Sequence, residues 1–238
     1  MKQIVKTSPP PVQKYGAHCL SDTNKTPDGR LRFLVPLLLS AQTKDNITAM
    51  AIFRLDKFLS EQFSDDELKS FECESINDIK IHNLTFKNIK QAEISTLEKL
   101  IYPVGFYKKK ALYLKKLGDL EDVPNNVSEL IKLNGIGFKM AKIATHICWD
   151  TISGIAVDTH VQRITQKLGW AGNTKVTASA NTVMKDLEDN IPNNFWGEIN
   201  ETVVGFGQVW CKAISPNCDQ CKLRNKECKW KPQLKTRK

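Results

Sequence analysis

Apolar positions in this chain recur at helical rather than strand spacing. Leu31, Leu34, Val35, Leu38 and Leu39 repeat at intervals of three and four, which sets them on one face of a helix that begins near Gly29. Ser40-Ala41-Gln42-Thr43 interrupts the pattern, and a second helix is expected over residues 45–59. Residues 60–93 are polar and weakly periodic, a region of short helices and loops. Residues 95–100 read as helical and stop at Tyr102-Pro103-Val104-Gly105, where Pro and Gly break the element. A basic helix follows over residues 109–120, then a Pro124-Asn125-Asn126 loop and a short helix over 127–133. Asn134-Gly135-Ile136-Gly137 predicts a tight turn, and residues 138–149 another helix. Asp158 is expected to cap a helix that runs through Leu168. Two further helices are expected, over residues 177–188 and 194–205. No alternating strand is present and no strands interleave with the helices, so the fold class is all-α.

Length and charge narrow the picture. A chain of 238 residues holds one large domain or two small ones with a real core. Its longest apolar stretch, residues 33–39, is too short to cross a bilayer, and membrane partners are not expected. Pro9-Pro10-Pro11 marks residues 1–12 as an extended, disordered tail. Residues 1–13 lack the apolar core of a secretory signal. They also lack both acidic residues and Arg, a weak form of a mitochondrial presequence. The formal net charge is +9, which favours polyanionic partners. Residues 211–238 carry nine Lys or Arg against two acidic residues, so most of the surplus sits there.

The hairpin residues carry candidate chemistry. Two glycines in Leu133-Asn134-Gly135-Ile136-Gly137 permit unusual backbone and close approach of another backbone. The free N–H groups of the next helix, with its dipole, then make an anion cradle. Lys139 lies in the first turn of that helix. A positive helix end and partial burial both favour its neutral, nucleophilic form. The plain alternative is a surface lysine or a phosphate contact. Asp158, in Val157-Asp158-Thr159-His160, opens a helix and should be ionised there. Capping alone explains it, although a capped carboxylate is also well fixed for catalysis.

Four of the seven cysteines crowd together as Cys211, Cys218, Cys221 and Cys228. Such a group reads as a metal site rather than a disulfide framework. Four thiolates suit either zinc or an iron–sulfur cluster. Lys212, Lys222, Arg224, Lys226 and Lys229 surround them, and a metal that pins this loop would present those charges to a phosphate backbone.

Together these residues resemble a known family. LNGIGFKMA (133–141), AVDTH (156–160) and the four cysteines after VVGFGQVWC (203–211) are similar to endonuclease III, the iron–sulfur branch of the helix-hairpin-helix glycosylases. LLLSAQTKD (37–45) and IYPVGFYKKKA (101–111) match it too, with a flavour closer to eukaryotic members. The resemblance spans residues 28–228. It implies two helical lobes with a DNA cleft between them. One is a six-helix barrel containing the helix-hairpin-helix, expected over residues 23–152. The other is a discontinuous iron–sulfur domain, expected over 13–22 and 153–238. It implies Lys139 as lyase nucleophile, Asp158 as its catalytic partner, and a [4Fe-4S] cluster on Cys211, Cys218, Cys221 and Cys228. It sets Gln42 where the extruded base leaves a gap and Phe106 on the loop that wedges into the opposite strand. From the sequence, Phe106 as a core residue is equally good. Gly135, Gly137 and Lys212 are the remaining expected DNA contacts. Asn134, Phe138, a last cysteine gap longer by one residue and a longer 59–93 stretch depart from the family pattern.

The implied function is a bifunctional DNA glycosylase and abasic-site lyase of base excision repair. It would remove oxidised pyrimidines from double-stranded DNA and cut the strand through a lysine Schiff base, as a monomer. His160 either orients Asp158 or packs. A mismatch glycosylase of the same fold and a non-catalytic DNA-binding module are the alternatives. The nucleus, with the mitochondrion as a second site, is the compartment expected of a eukaryotic member; a bacterial one would act in the cytoplasm at the nucleoid.

Overall fold

The computed structural model describes residues 1, 10, 26–59, 63–70, 81–172, 178–224, 226–228 and 230. They fall into two compact units, one holding residues 26–153 and the other Met1, Pro10 and residues 154–230. Each unit closes on its own hydrophobic core. Regular structure among the described residues is helical throughout, apart from one isolated bridge between Arg224 and Cys228. No helix among them is long and apolar enough to cross a membrane. Residues 13–22 and 231–238, and nearly all of the expected tail over 1–12, lie outside the described residues.

The first unit contains α1 (Pro27–Ser40), α2 (Asp45–Phe58), α3 (Asp65–Ser70), α4 (Phe86–Gln91), α5 (Ile94–Ile101), α6 (Tyr107–Leu117), α7 (Val127–Leu130) and α8 (Phe138–Trp149). Thr26 starts α1 by accepting the Gly29 N–H at 3.1 Å, and Pro27 occupies the first turn, where a missing N–H costs nothing. The periodic leucines predicted one buried face for this helix. Instead every residue from 31 to 39 is buried, so α1 runs through the core rather than along it. Helices α2 and α8 pack on α1, α5 packs on α2 and α6, and α4 packs on α6.

Two charged side chains inside this core fasten one loop. The Arg32 guanidinium donates to the carbonyls of His82 at 2.7 Å and Leu84 at 3.3 Å. Asp56 Oδ1 accepts the N–H groups of His82, Asn83 and Leu84 at 2.8, 2.6 and 3.1 Å. Buried charge is tolerable only when its hydrogen-bonding capacity is met, and here backbone meets it from both signs. Near the end of α8, Arg30 pairs with Asp122 and stacks over the Trp149 ring. Burial pushes the neighbouring Cys148 thiol up to about 12.

Two expected helix ends in this unit move. The basic helix stops at Leu117 rather than 120, with Gly118 as its C-cap, and Gly118 packs so tightly that a Cβ there would lie 2.7 Å from the Lys90 backbone nitrogen. The helix after Asn126 is a single turn ending at Leu130. Within residues 60–93 the described elements are α3 and α4, and residues 60–62 and 71–80 lie outside the described set.

The second unit contains α9 (Thr159–Leu168), α10 (Ala180–Asn190), a 3-10 turn (Asn193–Phe195) and α11 (Trp196–Val209). Ser179 caps α10, three residues later than the sequence pattern suggested, and α11 runs four residues further than expected. Helix α9 packs on both α10 and α11. Substituting Asp56 with Ala strands three backbone donors, so unfolding free energy in urea should fall by about 3 kcal/mol.

Candidate active site and cysteine cluster

The hairpin that precedes Lys139 is built by local rules. Asn126 caps α7 by accepting the Glu129 N–H at 2.9 Å. The chain turns through Leu133 and Asn134, and the buried Ile136 anchors the turn in the core. The two glycines have different reasons to be glycine. Gly135 adopts φ +84, and a Cβ there would lie 2.6 Å from Leu38 and 2.7 Å from Tyr113. Gly137 makes no use of that freedom. Its φ is −101, open to any residue, and a Cβ would meet nothing within 4 Å. Space on the outside of Gly137 is therefore not used by the fold. Gly137 opens α8 without a side-chain cap, and no acidic residue lies in the first turn. The leading N–H groups of such a helix seek an acceptor from elsewhere. Lys139 is the second residue of α8 and is half-buried.

Gln42 and Phe106 are brought together. Gln42 lies in the turn after α1 with φ 52 and is exposed. Phe106 precedes α6 with φ 58 and is 61% exposed, which removes its reading as a core residue. Left-handed backbone at a non-glycine residue costs about 1–2 kcal/mol. The two loops sit against each other: the Gly105 N–H donates to Thr43 Oγ1 at 3.0 Å, and a Cβ on Gly105 would fall 2.6 Å from the Gln42 carbonyl oxygen.

In the second unit, Asp158 caps α9 by accepting the Val161 N–H at 2.8 Å, as its place in the sequence predicts. His160, one position beyond the first residue of α9, packs on α11: a Cβ at Gly207 would lie 2.4 Å from its Nδ1. That ring nitrogen is 3.3 Å from Arg163 Nη2, which also donates to the Cys211 carbonyl at 2.7 Å. The packing role expected as one option for His160 is therefore present.

Cys211, Cys218, Cys221 and Cys228 line one small pocket together with Lys167 and Trp210. All four are free thiols. Burial raises the thiol pKa at Cys211 and Cys218, and the nearby Lys167 ammonium opposes that rise at both. Lys167 Nζ also sits 3.7 Å over the Trp230 ring. Among the described residues, no three ligating side chains converge on a single ion position. The donor set nonetheless fits a four-thiolate group, because the thiols share one pocket. Two buried donors nearby, Arg163 Nε and Trp210 Nε1, have no acceptor among the described residues. Lys212 is exposed just after Cys211.

The model of the HhH-GPD superfamily base excision DNA repair proteins matches residues 35–193. The chain belongs to that superfamily. This HhH-GPD chain is 38% identical over 218 residues to endonuclease III-like protein 1 of Bos taurus, covering 89% of the chain and 63% of that protein. The match to endonuclease III-like protein 1 of Gallus gallus is also 38%, over 89% of the chain and 68% of the relative. The chain thus spans about two thirds of the length of these relatives. Among solved structures, a trapped covalent intermediate of endonuclease III and DNA aligns with a TM-score of 0.66 and 26% identity, over 93% of this chain and 92% of that one.

One residue of this HhH-GPD chain escaped the sequence reading. Lys110 is 5% exposed and contacts the Gln42 turn. It hides in the Lys108-Lys109-Lys110 run, but its spacing to Leu114 and Leu117 was a usable signal. At Gly207, a substitution by Ala drives a methyl group into His160 and Ile164. Thermal denaturation should show a loss of about 2 kcal/mol from overpacking.

Proposed function

We propose that this chain is a bifunctional DNA glycosylase and abasic-site lyase of base excision repair, acting on oxidised pyrimidines in double-stranded DNA. The observation that carries it is Lys139 in the first turn of α8, behind an uncapped glycine hairpin with open space at Gly137. Similarity to endonuclease III-like protein 1, and to an endonuclease III trapped covalently on DNA, supports a reaction that passes through a covalent adduct.

In this reading the hairpin N–H groups and Gly135-Ile136-Gly137 take a backbone phosphate. The damaged nucleotide leaves the stack at a cost of a few kcal/mol, and Gln42 and Phe106 enter the vacated space. The neutral Lys139 amine attacks C1′ and the base leaves with the bonding pair. Asp158 steadies positive charge developing on the sugar and relays the proton shed by the amine. The C1′–O4′ bond then breaks, O4′ takes its electron pair and the relayed proton, and the iminium left at C1′ acidifies the C2′ proton. Its removal expels the 3′ phosphate, and water then frees Lys139. Cys211, Cys218, Cys221 and Cys228 hold a [4Fe-4S] cluster, whose contribution when bound is to cross-link the basic loop carrying Lys212. We assign the described residues 26–153 to the barrel domain and 154–230 to the cluster domain. The protein acts as a monomer in the nucleus or mitochondrion of a eukaryote.

Borohydride should trap a covalent adduct between the protein and abasic DNA, seen as a shifted band on a denaturing gel. Lys139→Gln should abolish that band, and its persistence at wild-type rate rules out this nucleophile. Asp158→Asn should slow base release by about a hundredfold or more while duplex binding persists. Gly137→Ser provides a separate test of the cradle. Ser is as good a cap as Gly, so stability should change by less than about 0.5 kcal/mol. Duplex affinity, measured by fluorescence anisotropy, should fall about tenfold as the hydroxymethyl group occupies the phosphate's space.

A further inference from the structure

Lys110 sits on the inward face of α6, with Ala111, Leu114 and Leu117. Its neighbours Lys108 and Lys109 are exposed. An ammonium has three donors, and here all three are used. Nζ donates to the Leu39 carbonyl at 2.8 Å, the Ala41 carbonyl at 2.6 Å and Thr43 Oγ1 at 3.2 Å. Leu39 and Ala41 lie at the end of α1, where carbonyls have no intrahelical partner and the helix dipole favours a cation. Thr43 extends the link: its hydroxyl donates to the Ala41 carbonyl at 3.2 Å and accepts the Gly105 N–H at 3.0 Å. One cation therefore ties the turn that carries Gln42 to the loop that carries Phe106.

The backbone at both places is unusual. Among the described residues, four that are not glycine have positive φ, and Gln42 and Phe106 are two of them. Both side chains are exposed, so neither backbone is bent in order to bury an apolar group. A feature needed only to close the core would leave them free to relax. Burial lowers the Lys110 ammonium to about 8, as expected for a cation removed from water and turned wholly toward backbone. Its three acceptors are two carbonyls and a hydroxyl, with no carboxylate among them.

We propose that Lys110 is a positioning residue for base extrusion: it holds Gln42 and Phe106 in the raised backbone conformations from which both enter the duplex. This rests on the glycosylase–lyase reading above. It predicts that loss of Lys110 impairs the steps that open the duplex and spares the chemistry at Lys139. Arg carries a charge and several donors, so Lys110→Arg should retain part of the function, whereas Lys110→Met keeps the length of the stem and loses every donor.

Two substrates separate the effects. One is a duplex with an oxidised pyrimidine, which requires extrusion. The other is a single strand with a preformed abasic site, which does not. In single-turnover assays, Lys110→Met should slow excision from the duplex about tenfold or more, since small misplacements of positioning groups have effects of that size. Its β-elimination on the single strand should stay within about twofold of wild type. Unstacking, followed by the fluorescence of 2-aminopurine beside the lesion, should slow in parallel with duplex excision, and Lys110→Arg should restore part of both. Equal loss on the two substrates, or full duplex activity in folded Lys110→Met, overturns the proposal. Should Lys110→Met fail to fold, Thr43→Val cuts the same link at the hydroxyl and must show the same split, with no split counting against the proposal. A wild-type protein that cleaves neither substrate overturns the glycosylase–lyase reading itself, and this proposal with it.

Discussion

A helix that is buried on every side has to end somewhere, and its last carbonyls then need a partner other than water. Helix α1 meets this constraint at Leu39 and Ala41, where the Lys110 ammonium takes the place of solvent. Much of the first unit follows from that end. The turn at residues 40–43 leaves from it, Gly105 closes against the turn, and α6 carries the lysine that completes the junction. One turn earlier, Leu38 leaves no room for a side chain at Gly135, so the same stretch of α1 also backs the hairpin before Lys139. Two loops with separate work on DNA, in the reading advanced above, are thus set against adjacent residues of one rigid helix. Sites carried on such elements hold their geometry better than sites on free loops.

Buried charge recurs as the device that makes irregular backbone definite in this unit. Among the described residues, Arg32, Asp56, Lys110 and Lys142 are the buried charged groups. Arg32 and Asp56 hold the 82–84 loop through its carbonyls and N–H groups, and Lys110 holds the 39–43 turn. Arg32, Asp56 and Lys110 each bond two or more backbone groups. An ion bonded to several peptide groups fixes where those groups lie. In the second unit half-buried charges do similar work, with Glu188 accepting the Ile155 N–H at 2.8 Å and Asp186 the Gly172 N–H at 2.7 Å, and close packing adds to it. Helix α11 approaches α9 so nearly at Gly207 that the His160 ring fills the space.

What was legible in the sequence was what is local. The ends of α8 and the cap of α9 follow from a glycine and an Asp at their starts, and both elements lie where the pattern put them. The four thiols announced a common site by spacing alone, and they share a pocket. What was not legible depends on distant partners. The closeness of Gly118 to the Lys90 backbone is a contact no local rule contains. Gly135 and Gly137 look alike in a motif but differ in the space around them. Phe106 was undecided between core and surface because a left-handed residue ahead of a helix leaves no mark in hydrophobic periodicity. Lys110 was overlooked because three lysines in a row read as a solvated face, and only the apolar spacing behind the third shows that it turns inward.

The separateness of the two cores has a consequence for how the molecule is made. The first described unit ends at residue 153, and all four clustered thiols lie beyond residue 210. On a ribosome, the lysine-bearing unit emerges with its whole described core before the first of those thiols has been translated. At about 5–20 residues per second, the last of them follows some 4–15 seconds later. Folding of the lysine-bearing core therefore need not wait on the thiol-bearing unit. A chain halted between residues 190 and 210 would carry the whole described lysine-bearing core and none of the clustered thiols, which makes the second unit a step of completion rather than of the start of folding.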